Sequence, residues 1–114
     1  MTYKYIIIGM SLLLLSASCG RQWQAKSAVK EFMDSELHRD AHYINFSDID
    51  STRNISDSLI AAMQQRIPCS NYQERRSKTL LHIRATYALE DDTLSSTFYL
   101  NKEIDGVVAF KDNF

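Results

Sequence analysis

The hydrophobic positions change period along the chain, and this change predicts the order of the secondary-structure elements. Between Gln24 and Arg39, apolar residues recur every three or four positions, which is the spacing of an amphipathic helix. A second, shorter helical stripe follows Ser56, a residue type that caps helices, and it ends at Pro68. From Thr79 onwards apolar and polar residues alternate, which predicts strands with one apolar face.

The alternating region contains three strands joined by short turns. We predict strands over 79–89 and 94–101, and a closing strand over 107–111 after the turn at Asp105-Gly106. The aromatic and β-branched segment 43–49 adds an edge strand. Short connections join antiparallel neighbours. The sequence therefore predicts an α+β fold in the order α-β-α-β-β-β, with a four-stranded antiparallel sheet packed against one long helix, and a second short helix.

The N-terminal segment follows a different pattern. Lys4 precedes an apolar run from Tyr5 to Leu15, which is shorter than the about 20 residues that a membrane-spanning helix needs. The run matches the hydrophobic core of a secretory signal, and small residues follow it at 16–18. We therefore expect residues 1–18 to be a signal peptide that is removed on export.

The residues Ser-Cys-Gly at this junction resemble the lipobox of bacterial lipoproteins, in the looser form found in the Bacteroidetes, although Ser16 stands where the common lipobox has Leu. The resemblance implies that the thiol of Cys19 is acylated and that Cys19 becomes the first residue. Residues 19–24 are then a short tether, and 25–114 form a single domain. The resemblance also implies the outer membrane, because Gly20 and not Asp follows Cys19, and a periplasm-facing position, because no acidic run follows the Cys. A plain secretory signal and an uncleaved anchor are the alternatives.

Composition and charge narrow the classes of function. The chain has 114 residues and a formal net charge of −1, which suits one domain and gives no footprint for nucleic acid. Its two cysteines cannot form a disulfide-dense scaffold. If Cys19 carries lipid, Cys69 remains as a single thiol, and we expect it to be partly buried and unreactive.

Few side chains form a pattern that points to chemistry. His38 and His42, with Asp34 one turn earlier, would share one face of a continuous helix and could bind zinc. The alternative, two solvent-facing histidines at a helix end, is the expected one. Neither a metal, a cofactor nor a catalytic set is predicted. The polar segment 69–77 is expected to be a mobile loop, and the basic run over 75–78 either is solvated or touches lipid headgroups.

The outward face of the predicted strands is the best candidate for a binding surface. Its side chains combine aromatic and hydrogen-bonding groups, which suit contact with a peptide or protein, although a solvated sheet is the simpler interpretation. The residues expected on this face are His82, Arg84, Thr86, Thr97 and Tyr99.

Four packing motifs support a second resemblance: 28–33, 43–50, 98–102 and 106–108. They are similar to those of a small cystatin-like or nuclear-transport-factor-like domain that is frequent in exported proteins of the Bacteroidetes. The resemblance implies an α+β domain and brings no catalytic residues. The leading hypothesis is a membrane-anchored, non-enzymatic binding or accessory module with a protein or peptide partner in the envelope. The alternatives are an inhibitor of a periplasmic or host hydrolase, and an enzyme with a pocket between helix and sheet.

Overall fold

The two kinds of hydrophobic pattern come together in an α+β fold, which the computed structural model describes for residues 20–53 and 55–114. The predicted signal peptide 1–18 and the predicted lipidation residue Cys19 lie outside the described residues. The elements, in chain order, are α1 (20–35 within the described residues), β1 (His42–Phe46), β2 (Asp50–Thr52), α2 (Asp57–Arg66), β3 (Leu80–Leu89), β4 (Asp92–Leu100) and β5 (Val107–Asp112).

The sheet is antiparallel in the order β1-β3-β4-β5, so the predicted fold class is confirmed. The structure adds the three-residue strand β2, which pairs with the start of β3, beside β1. Ser47 bridges the gap between β1 and β2, since its N–H donates to the carbonyl of Arg84 and its hydroxyl accepts from the N–H of Arg84, both at 2.8 Å. The backbone groups along this edge of β3 are therefore hydrogen-bonded by two short strands. The polar sequence Asp-Ser-Thr gave no indication of the second strand, β2.

Helix α1 is displaced towards the N-terminus relative to its prediction. Residues 20–24, which the sequence predicted as a tether, are helical, and the helix ends at residue 35. Gln22 fixes this first turn, because its side chain donates to the carbonyl of Ser47 at 2.9 Å and accepts from the N–H of Ile49 at 3.1 Å. At the other end, His38 takes a positive φ of 52° and the chain turns towards β1.

The main core lies between α1 and the sheet. Phe98 and Phe110 stack with ring centroids 5.4 Å apart, and the ring of Phe32 from α1 meets both of them edge-on. Ala25, Val29 and Met33 extend this contact along the helix and are fully buried. The apolar stripe predicted for the first helix therefore covers the inward face of the strands, as the alternating pattern requires.

Helix α2 packs on the opposite face of the sheet. Its N-cap is Ser56, as predicted, and the Ser56 hydroxyl accepts from the N–H of Leu59 at 3.1 Å. Ile60 and Met63 are buried in a second cluster with Ile55 and with residues of β3, β4 and β5. Leu59, which the sequence placed in the apolar stripe, is 49% exposed, because it lies at the border of the contact between α2 and this cluster.

The edge of β5 is covered, unlike an ordinary sheet edge that exposes unpaired backbone groups. The Gln64 side chain donates to the carbonyl of Val108 at 2.8 Å, and the N–H of Gln73 donates to the carbonyl of Val107 at 2.9 Å. Helix α2 and the segment after it therefore cover this edge of the sheet.

The segment between α2 and β3 is tied to the domain, in contrast to the mobile loop that its polarity predicted. The buried Asn101 side chain donates to the carbonyl of Glu74 at 2.9 Å and accepts from the N–H of Arg76 at 3.0 Å. The largely buried guanidinium of Arg75 donates to the carbonyls of Ser77 and Ile55. Arg75 is thus a structural residue, and polarity alone did not distinguish it from a solvated one.

Candidate functional site

The five residues predicted on the outward face lie on the side of the sheet that α2 partly covers. In the pairing of β3 with β4, His82 is opposite Tyr99 and Arg84 is opposite Thr97. Thr86 lies one row further along the same face of β3. The structure therefore brings these side chains together on one surface, next to a helix that the sequence could not place.

Tyr99 differs from the other four, and its predicted exposure is wrong. It is only 9% exposed, because it packs in the cluster beneath α2 with Ile60, Met63 and Val108. Its ring centroid is 6.2 Å from that of His82. Arg84 is exposed, and the other three are half-buried. The open surface therefore consists of His82, Arg84, Thr86 and Thr97, with Tyr99 beneath its border.

An apolar groove adjoins this surface, between α2 and the end of β5. It has a volume of about 300 Å³, which is at the lower end of the range for small-molecule pockets. Leu59 and Phe114 stand at the groove with 49% and 66% of their surfaces exposed. The remaining lining residues are Ala62, Met63, Arg66, Ile67, Tyr99, Phe110, Lys111 and Asp112.

Basic side chains lie where the groove meets the open surface. Lys111 of β5 is opposite Thr97, which is opposite Arg84, so one row across the sheet carries two exposed cations. Arg66, in the last turn of α2, is also exposed at the groove. The acidic group of the groove, Asp112, is already paired. We therefore define the α2-side surface as the groove together with His82, Arg84, Thr86, Thr97 and Lys111; it combines apolar and cationic contacts.

Asp112 belongs to a polar network that the sequence analysis missed. Its carboxylate accepts two hydrogen bonds from the Arg39 guanidinium, at 2.9 and 3.0 Å, and one from the Ser96 hydroxyl at 2.7 Å. The Tyr87 hydroxyl lies 2.7 Å from that of Ser96 and accepts from Arg39 at 2.9 Å. One signal was present in the sequence: Ser96 occupies an inward position on an otherwise apolar strand face.

The electrostatics of this network indicate a structural role. Burial alone would raise the pKa of Asp112, but hydrogen bonds from Arg39 and Ser96 outweigh it and hold this pKa below its ordinary value. The hydrogen bond to Asp112, opposed by burial, raises the pKa of Arg39. An ionised carboxylate with three donors is a poor base at neutral pH. The network ties the segment after α1 to three strands.

The histidine pair does not form a zinc site on one helix face. His38 follows α1 in a left-handed conformation, whereas His42 begins β1, so the two residues do not share a helix face. Among residues 20–53 and 55–114, no group of three or more His, Cys, Asp or Glu side chains is arranged to hold a metal ion.

Cys69 is a half-buried free thiol in the segment after α2. Burial, and secondarily a hydrogen bond with Cys69, raise the pKa of Tyr72 well above its ordinary value. The Tyr72 hydroxyl donates to the carbonyl of Ile67 at 2.5 Å. Cys69 therefore lies among packing contacts at the end of α2.

Comparison of the chain with protein-family models, curated proteins and solved structures gave no match. Within the part of the chain that the structure describes, neither helix is long and apolar enough to span a membrane.

Proposed function

We propose that this chain is a lipoprotein anchored through Cys19 to the outer membrane and facing the periplasm, and that its domain is a non-enzymatic binding module. The signal-like segment 1–18 and the lipobox-like junction support the anchor. The observation that carries the binding role is the α2-side surface, where Lys111 lines an apolar groove and Arg84 lies in the same row of the sheet, two strands away. Its partner is a protein or peptide of the envelope that presents apolar and acidic side chains.

The polar groups of the domain support binding over catalysis. Arg39, Tyr87, Ser96 and Asp112 bond to one another, so their hydrogen-bonding capacity serves the fold. The side chains of the α2-side surface are instead turned outwards, and they combine cations with an apolar groove. Such a mixture suits the core and rim of a protein interface. The cystatin-like or nuclear-transport-factor-like resemblance is part of this proposal and brings no catalytic residues to it.

The anchor is tested by growing cells with labelled fatty acid. The wild-type chain should incorporate the label, and Cys19→Ala should lose it and appear in the soluble fraction, because the acylated thiol is gone. Cys69→Ala is the matched control and should keep both the label and the membrane association. Label that persists in Cys19→Ala would show that the cleavage assignment is wrong.

The location is tested separately. Density-gradient separation of the two membranes should place the wild-type chain with the outer membrane. Protease added to intact cells should leave the chain uncut, and protease added after the outer membrane is permeabilised should cut it. Digestion in intact cells would instead place the domain on the cell surface.

The binding role is tested by cross-linking in the envelope followed by purification of the partner. The double variant Arg84→Glu, Lys111→Glu should lose a cross-linked partner that the wild type retains, because both cations of the row are reversed. Lys102→Glu, an exposed charge reversal in the β4–β5 turn, is the control and should retain it. Equal affinity of the purified partner for all three proteins would refute the assignment of this surface.

A further inference from the structure

Trp23 is the most exposed of the large hydrophobic side chains in the described part of the chain. It belongs to the first turns of α1 and is 68% exposed. Ala25 and Val29 of the same helix are fully buried against the sheet, so Trp23 lies on a side of α1 turned away from the core. Nothing in the packing of the domain accounts for an indole in water at this position.

The sequence places Trp23 beside the proposed lipid anchor. Gly20 is already helical, and Cys19 precedes it by one peptide unit, a Cα separation of about 3.8 Å. From Gly20 to Trp23 the helix rises only about 4.5 Å. Trp23 is thus only four residues along the chain from the residue that we propose carries the acyl chains, and it lies in the first turns of the helix that begins the described part of the domain.

The first turn of α1 cannot swing away from the domain without breaking contacts. The Gln22 amide bonds to Ser47 and to Ile49 in the connection between β1 and β2, and Ala25 is buried one turn later. Trp23 therefore moves with the domain as one unit. A bilayer that holds the acyl chains of the proposed anchor therefore meets the indole in a defined orientation.

The neighbouring charges indicate how deep this contact goes. Arg21, two residues before Trp23, is exposed and is suited to lipid phosphates. Asp48 of the β1–β2 connection and Asp50 at the start of β2 are exposed near Arg21 and disfavour the hydrocarbon region. Tryptophan itself prefers the headgroup level of a bilayer, where one edge of the ring is apolar and its N–H is hydrated. All three features favour the interface over the hydrocarbon interior.

We infer that Trp23 is a membrane-contact residue: its indole inserts at the headgroup level of the bilayer beside the acylated Cys19 and holds the domain in one orientation. This inference rests on the proposed anchor and adds a second, non-covalent contact to it. The partner of this surface is a phospholipid bilayer, and the α2-side surface is not part of it.

Trp23 is the only tryptophan in the chain, so intrinsic fluorescence reports on this residue alone. The acylated protein is reconstituted into vesicles of phosphatidylethanolamine and phosphatidylglycerol, and the Cys19→Ala protein in buffer provides the aqueous reference. We expect the emission of the acylated protein to shift to shorter wavelength and to lose quenching by acrylamide. Lipids with a spin label near the headgroup should quench it more strongly than lipids labelled near the chain end.

A matched variant moves the reporter to the far end of the domain. In the double variant Trp23→Phe, Phe114→Trp, the single indole is at position 114, two residues after Asp112. Asp112 pairs with Arg39, which follows the C-terminal end of α1, whereas Trp23 lies at the other end of that helix. The 16 described residues of α1 span about 24 Å, so this indole should remain accessible to acrylamide and be unquenched by the spin-labelled lipids. Equal lipid quenching at positions 23 and 114 would overturn the inference, since it would mean that no single orientation exists.

The two proposals fail in different ways. An acylated wild-type chain whose Trp23 emits as in water and is fully quenched by acrylamide overturns the membrane contact and leaves the anchor standing. A mature wild-type chain whose mass shows no acyl group overturns both.

Discussion

Both faces of the sheet carry a helix, but α1 covers more of the strands beneath it than α2 does, and we call the α1 side the sealed face. On the α1 side, Phe98, Phe110 and Tyr87 are buried, and the rings of Phe98 and Phe110 meet the ring of Phe32 edge-on. On the α2 side, the cluster around Tyr99 ends at an apolar groove of about 300 Å³ and a polar surface. The comparison teaches that the first face supplies most of the buried core, whereas the second leaves exposed the surface that we propose for binding.

Helix length accounts for much of this difference. The described part of α1 has 16 residues and spans about 24 Å, whereas α2 has 10 residues and spans about 15 Å. The shorter helix also lies towards β5, where Gln64 bonds to the strand edge. It therefore leaves the β3 side of the face, with His82 and Arg84, uncovered.

The largest effect should come from removing an aromatic ring on the sealed face. Phe98→Ala should destabilise the domain by about 3–5 kcal/mol, because the stacked ring of Phe110 and the edge of Phe32 lose their partner. Met63→Ala on the α2 side should cost less, about 2 kcal/mol, since its cluster is open at one end. Urea unfolding of the soluble domain measures both. Equal losses would contradict the comparison.

The polar network on the sealed side should give a smaller, pH-dependent effect. Asp112→Asn should cost about 2 kcal/mol at neutral pH, because the variant loses a charge-assisted partner of Arg39 and Ser96. The folded pKa of Asp112 is below its ordinary value, so the unfolded chain binds more protons in acid. The contribution is therefore present above the unfolded pKa of about 4 and is lost as pH falls through the folded value.

Unfolding measured across acidic pH distinguishes this mechanism from a simple loss of packing. The stability difference between the wild type and Asp112→Asn should shrink below about pH 4. Asp48→Asn, at an exposed position, is the control and should show little difference at any pH. A difference for Asp112→Asn that stays constant through acidic pH would show that the ionised carboxylate is not what stabilises the network.

Removing the N-cap of α2 should lower the stability moderately, and the loss should be confined to the α2 side of the sheet. Ser56→Ala should cost about 1 kcal/mol, because the N–H of Leu59 loses its acceptor. Hydrogen exchange should accelerate in α2 before it changes in α1. Ser58→Ala, inside the same helix and exposed, is the control and should leave α2 unaffected or slightly stabilised. Uniform acceleration across both helices would argue against separate faces.

The smallest effect on stability is expected at the groove itself. Leu59→Ser should change the free energy of unfolding by no more than about 0.5 kcal/mol, because Leu59 is half exposed and its backbone N–H still reaches Ser56. Ile60→Ala, at the next residue, should cost about 2 kcal/mol or more, since Ile60 is buried. A large loss in Leu59→Ser would mean that the groove is part of the core.

Much of the fold could be predicted from local patterns, and the candidate site only in part. Alternation along β3 and β4 showed that His82, Arg84, Thr86, Thr97 and Tyr99 share a face, since side chains alternate across a strand. The same alternation gave no sign that a helix covers Tyr99. The predicted burial of Leu59 was wrong for a related reason. Helical periodicity defines an apolar stripe, but contact with the sheet decides which border of that stripe is buried.

By itself, the sequence determined the α+β class, the N-cap at Ser56 and the antiparallel β3–β4–β5 unit, because these depend on neighbours along the chain. Only the tertiary structure decided that α2 lies across from α1, that Arg39 reaches Asp112, and that the largely buried Arg75 holds the loop in place. Residues 39 and 112 are far apart in sequence, and no periodicity couples them. Their contact arises from the free energy of burying both faces of one sheet, which is a property of the whole chain.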